Sequence, residues 1–215
     1  MKKYVLPRDY PELDFKMMKI VLLEGTNKTL ATMSEKSAEQ SRKYLEKLGV
    51  TVMTEALVKD YDGINITLQN GKAIASSLVI WAAGIKGNVP DGIEPTLIVR
   101  GNRIQVDRYN QLKNTDNIYV IGDLAYMETS QYPHGHPQVA NVAIQQAKNL
   151  SKNLLNKAIS NNQYVEFEYD DKGSMATVGR NLAVVDFPKP KLHFKGFIAW
   201  VIWMTLHLFL LLGVK

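Results

Sequence analysis

Residues 19–53 constrain the fold more than any other stretch. Lys19 opens the apolar run Ile20, Val21, Leu22 and Leu23, which ends at Glu24 and Gly25. This reads as a buried strand. Residues 34–48 then place Ala38, Leu45 and Leu48 at helical spacing with charges between them. Ser34 is a ready N-cap and Gly49 a stop for that helix. A second apolar run, Val50-Thr51-Val52-Met53, follows at once. Strand, helix and strand in this order predict a βαβ unit, and so an α/β fold built on a parallel sheet.

The next segments are short and punctuated. Residues 64–68 alternate apolar and polar, Asn70-Gly71 is a hairpin signal, and residues 73–77 are placed to pair back. Residues 78–84, Leu-Val-Ile-Trp-Ala-Ala-Gly, read as a buried strand that leads into a glycine turn. Residues 87–92 read as loop, and 104–107 and 118–121 as two further strands. The apolar run at 118–121 ends in Gly122-Asp123, and its composition suits a strand buried on both faces. A helix is expected over 137–158, with Val139, Val142, Ala143, Ala147, Leu150 and Leu154 on its apolar face and Pro137 in its first turn. Residues 164–169 alternate like a strand, 171–173 form a turn, and 175–178 and 182–185 suit two more strands.

Three places carry the chemistry of a nucleotide-binding sheet. Glu24, at the end of a strand in a βαβ unit, puts a carboxylate where ribose hydroxyls can donate, and its charge disfavours a 2′-phosphate. An ordinary strand-end glutamate is the alternative. Ala83 and Gly84 follow Trp81 and Ala82, and small residues there let a flat cofactor lie against the backbone, or simply pack tightly. Gly122 allows close approach to the backbone, and Asp123 offers an acceptor. The helix N-terminus behind them offers free amides and partial positive charge. Asn141 and Gln145, four residues apart on that helix, suit contacts to a cofactor or substrate, or a solvated amide pair.

Composition excludes some classes. The chain of 215 residues has no cysteine, so disulfides, thiolate catalysis and cysteine metal sites are ruled out within it. His134 and His136 flank Gly135 in a loop and read as loop residues, not as metal ligands. The net charge of +5 does not argue for nucleic acid, but its distribution is uneven. No acidic residue follows Asp186, whereas Lys189, Lys191, Lys195 and Lys215 do. Residues 197–214 form an apolar segment interrupted by Thr205, His207 and Gly213. Trp200, Trp203 and His207 fall on one helix face, so this tail suits a helix that rests in a membrane interface or crosses the bilayer. Residues 1–10 lack the apolar core of a signal peptide.

Taken together, Trp81-Ala82-Ala83-Gly84, the segment 115–123, the helix motif Ala140-Asn141-Val142-Ala143-Ile144-Gln145, the segment 173–180 and the apolar tail resemble type II NADH dehydrogenases. These are flavoproteins that pass electrons from NADH to quinone. The resemblance covers nearly the whole chain from about Ile20. It implies the remainder of a flavoprotein with two dinucleotide-binding (Rossmann-like) domains, plus a C-terminal apolar membrane-associated helix. The implied segments are 1–90 for the rest of an NAD-binding domain, 91–160 for the second segment of an FAD-binding domain, 161–188 for a C-terminal β segment and 189–215 for the tail.

The resemblance further implies FAD and NAD as cofactors, and NADH, a quinone and a membrane surface as partners. It allows a homodimer and places the protein on the cytoplasmic face of the inner or plasma membrane. Gly122, Asp123, Ala140 and Asn141 would meet the flavin, Glu24 the NADH ribose, Ala83 and Gly84 the nicotinamide–flavin contact, and Gln145 the quinone head. No residue is assigned a catalytic role. Two departures stand out. Asn141 stands where such proteins usually carry glutamine, and neither glycine-rich fingerprint is present, since residues 1–23 hold no glycine. The expectation is therefore a C-terminal fragment without the whole activity. Two other readings remain: a soluble flavoprotein reductase of the ferredoxin or disulfide type, and a non-enzymatic membrane-anchored nucleotide-binding module.

Overall fold

The computed structural model describes residues 5–161 and 163–211. In chain order the elements are α1 (Leu6–Asp9), β1 (Ile20–Leu23), α2 (Glu35–Lys47), β2 (Val50–Met53), β3 (Val58–Tyr61), β4 (Asn65–Leu68) and β5 (Ala73–Ala75). Then come β6 (Ile98–Val99), β7 (Arg103–Gln105), β8 (Ala125–Tyr126), α3 (Ala140–Ala158), β9 (Ser174–Gly179), β10 (Leu182–Phe187), β11 (Leu192–Lys195) and α4 (Gly196–Leu211). The chain divides into two compact units, residues 1–80 with 172–215, and residues 81–171.

In the first unit the βαβ expectation holds. β1 and β2 pair in parallel, from Ile20 opposite Val50 to Leu23 opposite Met53. α2 forms the crossover, and the Ser34 hydroxyl accepts the Ser37 amide as an N-cap should. β1 itself is less buried than its composition suggests, with Val21 and Leu22 both exposed. The predicted hairpin is present as β4 and β5, and β3 adds an antiparallel third strand. Ala56, Ile66 and Leu68 form the core beneath it. β9, β10 and β11 make a second antiparallel sheet, with the expected strands at 175–178 and 182–185 inside β9 and β10. α4 lies on β10, where Ala199 meets Ala183 and Val185, and all three are fully buried.

α2 is also tied to that sheet. Asp186 on β10 accepts from the Ser34 amide at 2.9 Å, the Ser34 hydroxyl at 3.0 Å and the Ser37 hydroxyl at 2.9 Å. His193 Nδ1 lies 3.0 Å from the same carboxylate. A negative charge at a helix N-terminus is favourable, because unpaired amides and the helix dipole both point at it.

In the second unit β7 lies between β6, antiparallel, and β8, parallel. Ile104, Val106, Leu112, Val120, Ala125, Met127, Val142 and Phe167 form its core.

Several sequence expectations need correction. Residues 78–84 are not a buried strand. Leu78 is 76%, Ile80 82% and Trp81 69% exposed, and none of the described residues pairs with this run. An apolar run becomes an interior strand only when neighbours supply both ladder and cover. The run at 118–121 likewise makes one bridge, between Gln111 and Tyr119, and leaves Ile118 and Ile121 exposed. α3 begins at Ala140, three residues after Pro137, and its buried positions are Val142, Gln146 and Asn153. The face expected to be inside instead leaves Val139 and Leu154 exposed.

Residues 164–169 are extended but, among the described residues, join no sheet. They lie along α3 as a strap whose backbone is met by side-chain amides. Asn153 donates to Val165 O at 2.9 Å and accepts the Val165 amide at 2.9 Å. Asn149 donates to Val165 O at 3.0 Å. This pairs the Val165 backbone groups as a neighbouring strand would. One helical turn is found at Leu6–Asp9, and residues 1–4 lie outside the described residues. The end of the apolar tail, residues 212–215 with Gly213 and Lys215, lies outside them too.

Candidate cofactor-binding site

The site in the second unit is built on α3. Val139 precedes the helix in an extended conformation and carries no side-chain cap, so the first-turn amides of Ala140 and Asn141 are not closed by any capping group. The turn Gly122–Leu124 is a single 3-10 turn packed beside this helix. Gly122 has φ +69°, the left-handed region that favours glycine, and a Cβ there would lie 3.2 Å from the Ala143 methyl. The Gly122 amide donates to Gln146 Oε1 at 2.7 Å. The Asp123 carbonyl accepts from Gln138 Nε2 at 3.0 Å, and the Asp123 residue remains exposed.

The expected residues Gly122, Asp123, Ala140 and Asn141 therefore all belong to one turn and the helix end beside it. Gln145 sits on the same helix, but its amide is already engaged. Nε2 donates to Asp170 O at 2.9 Å, and Oε1 accepts the Asp170 amide at 3.0 Å. Ala83 and Gly84 lie in an exposed irregular stretch of the same unit, Gly84 with φ +109°. Gly87 nearby is held between Asn102 and Leu124. Its amide donates to Gly101 O at 2.8 Å, and a Cβ would fall 2.0 Å from the Asn102 carbonyl oxygen.

Behind the turn is a buried layer. Arg103 donates to Ala125 O and, at 3.0 Å, to His136 O, and its guanidinium lies over the Tyr126 ring at 5.3 Å from the centroid. Burial lowers the Arg103 pKa, and the charge of Asp123 partly opposes this. His136 is buried among Tyr132, Phe167 and Tyr169, with Nδ1 3.1 Å from Met127 O. Burial pushes its pKa down, so it is neutral near pH 7. Tyr169 is pushed up to about 12, first by burial and then by the charge of Asp171. Among the described residues no cluster of histidines and carboxylates is placed to hold a metal ion. A cavity of about 340 Å³ opens elsewhere in this unit, lined by Tyr109, Tyr119, Tyr164 and Lys157 among others.

In the first unit Glu24 stands at the carboxyl end of β1, as expected. Its amide donates to Met53 O at 2.9 Å, which extends the parallel ladder by one residue. Its carboxylate accepts from the Thr26 amide at 2.8 Å and the Thr26 hydroxyl at 2.9 Å, both on Oε1.

Residues 13–147, which take in Glu24, Ala83, Gly84, Asp123 and Gln145, match the model of the pyridine nucleotide-disulphide oxidoreductases. The chain belongs to that family. Among curated relatives, the type II NADH:quinone oxidoreductase Ndh of Mycobacterium tuberculosis is 32% identical over 223 residues, which takes in 99% of this chain and 46% of the relative. A type II NADH:quinone oxidoreductase of Staphylococcus aureus is 29% identical over 185 residues, 83% of this chain and 45% of the relative. The chain spans less than half the length of these relatives. Among solved structures, NDH2 from Plasmodium falciparum in complex with NADH superposes with a TM-score of 0.76 at 20% identity, covering 95% of this chain and 57% of that one. The sulfide:quinone oxidoreductase of Aquifex aeolicus gives 0.71 at 14% identity, over 98% of this chain and 52% of that one. These likenesses confirm the α/β fold of the family.

Sequence reasoning missed Gln138, Gln146, Arg103 and Asp186. Gln146 lies four residues after Val142, on the buried face of α3, and that spacing was its one visible signal.

Proposed function

We propose that these residues are the cofactor-binding part of a flavin-dependent oxidoreductase that passes electrons from NADH to a quinone. The observation that carries this reading is the Gly122–Asp123 turn set beside the uncapped first turn of α3. Gly122 leaves room for close approach, Asp123 offers a carboxylate to ribityl hydroxyls, and the Ala140 and Asn141 amides suit the electron-rich pyrimidine edge of a flavin. When bound, FAD supplies the redox chemistry, and the protein supplies position and electrostatics. Glu24, with its carboxylate oriented by Thr26, would accept from the NADH ribose hydroxyls and repel a 2′-phosphate. Ala83 and Gly84 would lie at the nicotinamide side. Gln145 would face the quinone side through the Asp170 segment that it holds. The named relatives act as NADH:quinone oxidoreductases, which supports the reading.

Membrane association is part of the same proposal. Among the described residues no helix is long and apolar enough to cross a membrane. α4 is nonetheless largely apolar, interrupted by Thr205 and His207. Its first half packs on β10, and its second half exposes Leu206, Leu208, Phe209, Leu210 and Leu211. Lys189, Lys191 and Lys195 precede it, a pattern suited to an anionic membrane surface. A position on the cytoplasmic face and a homodimer belong to this proposal, on the strength of the family resemblance.

The test is a chimera in which this chain replaces the matching segment of the Mycobacterium tuberculosis relative. The expected result is NADH-dependent reduction of a quinone analogue, with flavin retention weakened by Asp123→Ala. A folded chimera that holds flavin but leaves NADH unoxidised would overturn the enzymatic reading and favour a nucleotide-binding module.

A further inference from the structure

We propose that Gln138 and Gln146 are positioning residues that clamp the Gly122–Asp123 turn, so that the Asp123 carboxylate and the α3 amides are presented to the flavin in one fixed relation. The inference rests on the flavin reading above. A side-chain amide fully buried on a helix must find partners, because leaving it unpaired is costly. Gln146 is 1% exposed, and its oxygen meets the Gly122 amide at 2.7 Å. One helical turn earlier on the same face is Ala143, the residue against which Gly122 packs. Ala143 therefore sets how close the turn comes, and Gln146 sets its orientation.

Gln138, just ahead of the helix, closes the other side through its 3.0 Å bond to the Asp123 carbonyl. Within the turn, the Ala125 amide takes the Gly122 carbonyl. The outer amide and the outer carbonyl of the Gly122–Asp123 pair are thus both held by glutamine side chains, while the Asp123 side chain is left exposed. The neighbouring Gln145 turns to the opposite task and holds the strap at Asp170. Two adjacent glutamines on one helix thereby anchor the flavin turn and the strap to the same rigid element.

Two arms test the clamp. In the full chain, amide hydrogen exchange is read at Gly122 in the wild type, Gln146→Met, Gln146→Glu and Gln138→Leu. Methionine keeps the volume and removes the acceptor, whereas glutamate keeps an acceptor. Gln146→Met is expected to speed Gly122 exchange by roughly fivefold to tenfold, the worth of one hydrogen bond, with α3 helicity unchanged. Gln146→Glu is expected to restore most of the protection, and Gln138→Leu to loosen the turn without altering α3. Unchanged Gly122 protection in Gln146→Met would overturn the proposal, as would an equal loss of protection along the whole of α3.

The second arm places Gln146→Met in the chimera and follows flavin absorbance and retention. A shifted spectrum or faster flavin loss supports the clamp. A loosened turn with unaltered flavin would show that the clamp serves the fold and not the cofactor. Failure of the unmodified chimera to take up any flavin would retire the flavin reading alone, since the exchange result at Gly122 is read without flavin.

Discussion

Asp186 shows how much one side chain can organise. Its carboxylate closes the N-terminus of α2 from a strand 149 positions further along the chain than Ser37. Burial works against the charged form, yet hydrogen bonds from His193, Ser34 and Ser37 outweigh it and hold the pKa below the ordinary value. A depressed folded-state pKa contributes stability that is complete above the unfolded value, about 4, and is lost as pH falls through the folded value. Asp186→Asn is therefore expected to cost roughly 1–2 kcal/mol at neutral pH, in line with caps and charged hydrogen bonds. Urea denaturation should show the gap between wild type and variant closing on acidification from about pH 5 to pH 2. A gap that stays constant across that range would assign the loss to shape and not to charge.

At the scale of elements, the strap on α3 is the feature with the clearest consequence. Among the described residues no strand pairs with residues 164–169, so amides on α3 take the place of a ladder, and the Arg108 carbonyl secures the other side by accepting the Phe167 amide at 2.8 Å. Asn153 is nearly fully buried and gives Val165 both a donor and an acceptor. Asn153→Leu keeps most of the volume and removes both bonds. The expected cost is about 1–3 kcal/mol by thermal or chemical denaturation, with faster exchange at the Val165 amide. Retained protection at Val165 would show that Phe167, buried in the core, is enough to seat the strap. Helix α2 was legible from sequence because its cap, its period and its stop agree. The face of α3 was not, because a period-based reading assigns apolar residues to the inside, and here Gln146 and Asn153 are inside through bonds to distant backbone.

At the scale of the whole molecule, the proposed membrane contact is the prediction to test, and it rests on the exposed second half of α4. If the exposed half of α4 seats in lipid, the full chain should co-sediment with vesicles containing phosphatidylglycerol. Leu208→Glu with Phe209→Glu should abolish most of that binding, because two charges would enter the apolar layer. Equal sedimentation of the two proteins would remove α4 from the proposed membrane contact. Ala199, buried against β10, is not suited to this test, since changing it would disturb the sheet as well.

Local pattern alone specified the βαβ unit, the Asn70-Gly71 hairpin, the two strands after residue 173 and the apolar C-terminal helix. Each depends on interactions between residues close in sequence, such as caps, turns and period. The position of Glu24 at a strand end was legible for the same reason. Distant contacts decided the rest. No local signal tells that the apolar runs at 78–84 and 118–121 lack full strand neighbours, since burial depends on what other segments supply. Nor could sequence show that Gln146 reaches Gly122, or Asp186 the start of α2, because each bond joins residues that come together only when the chain is folded.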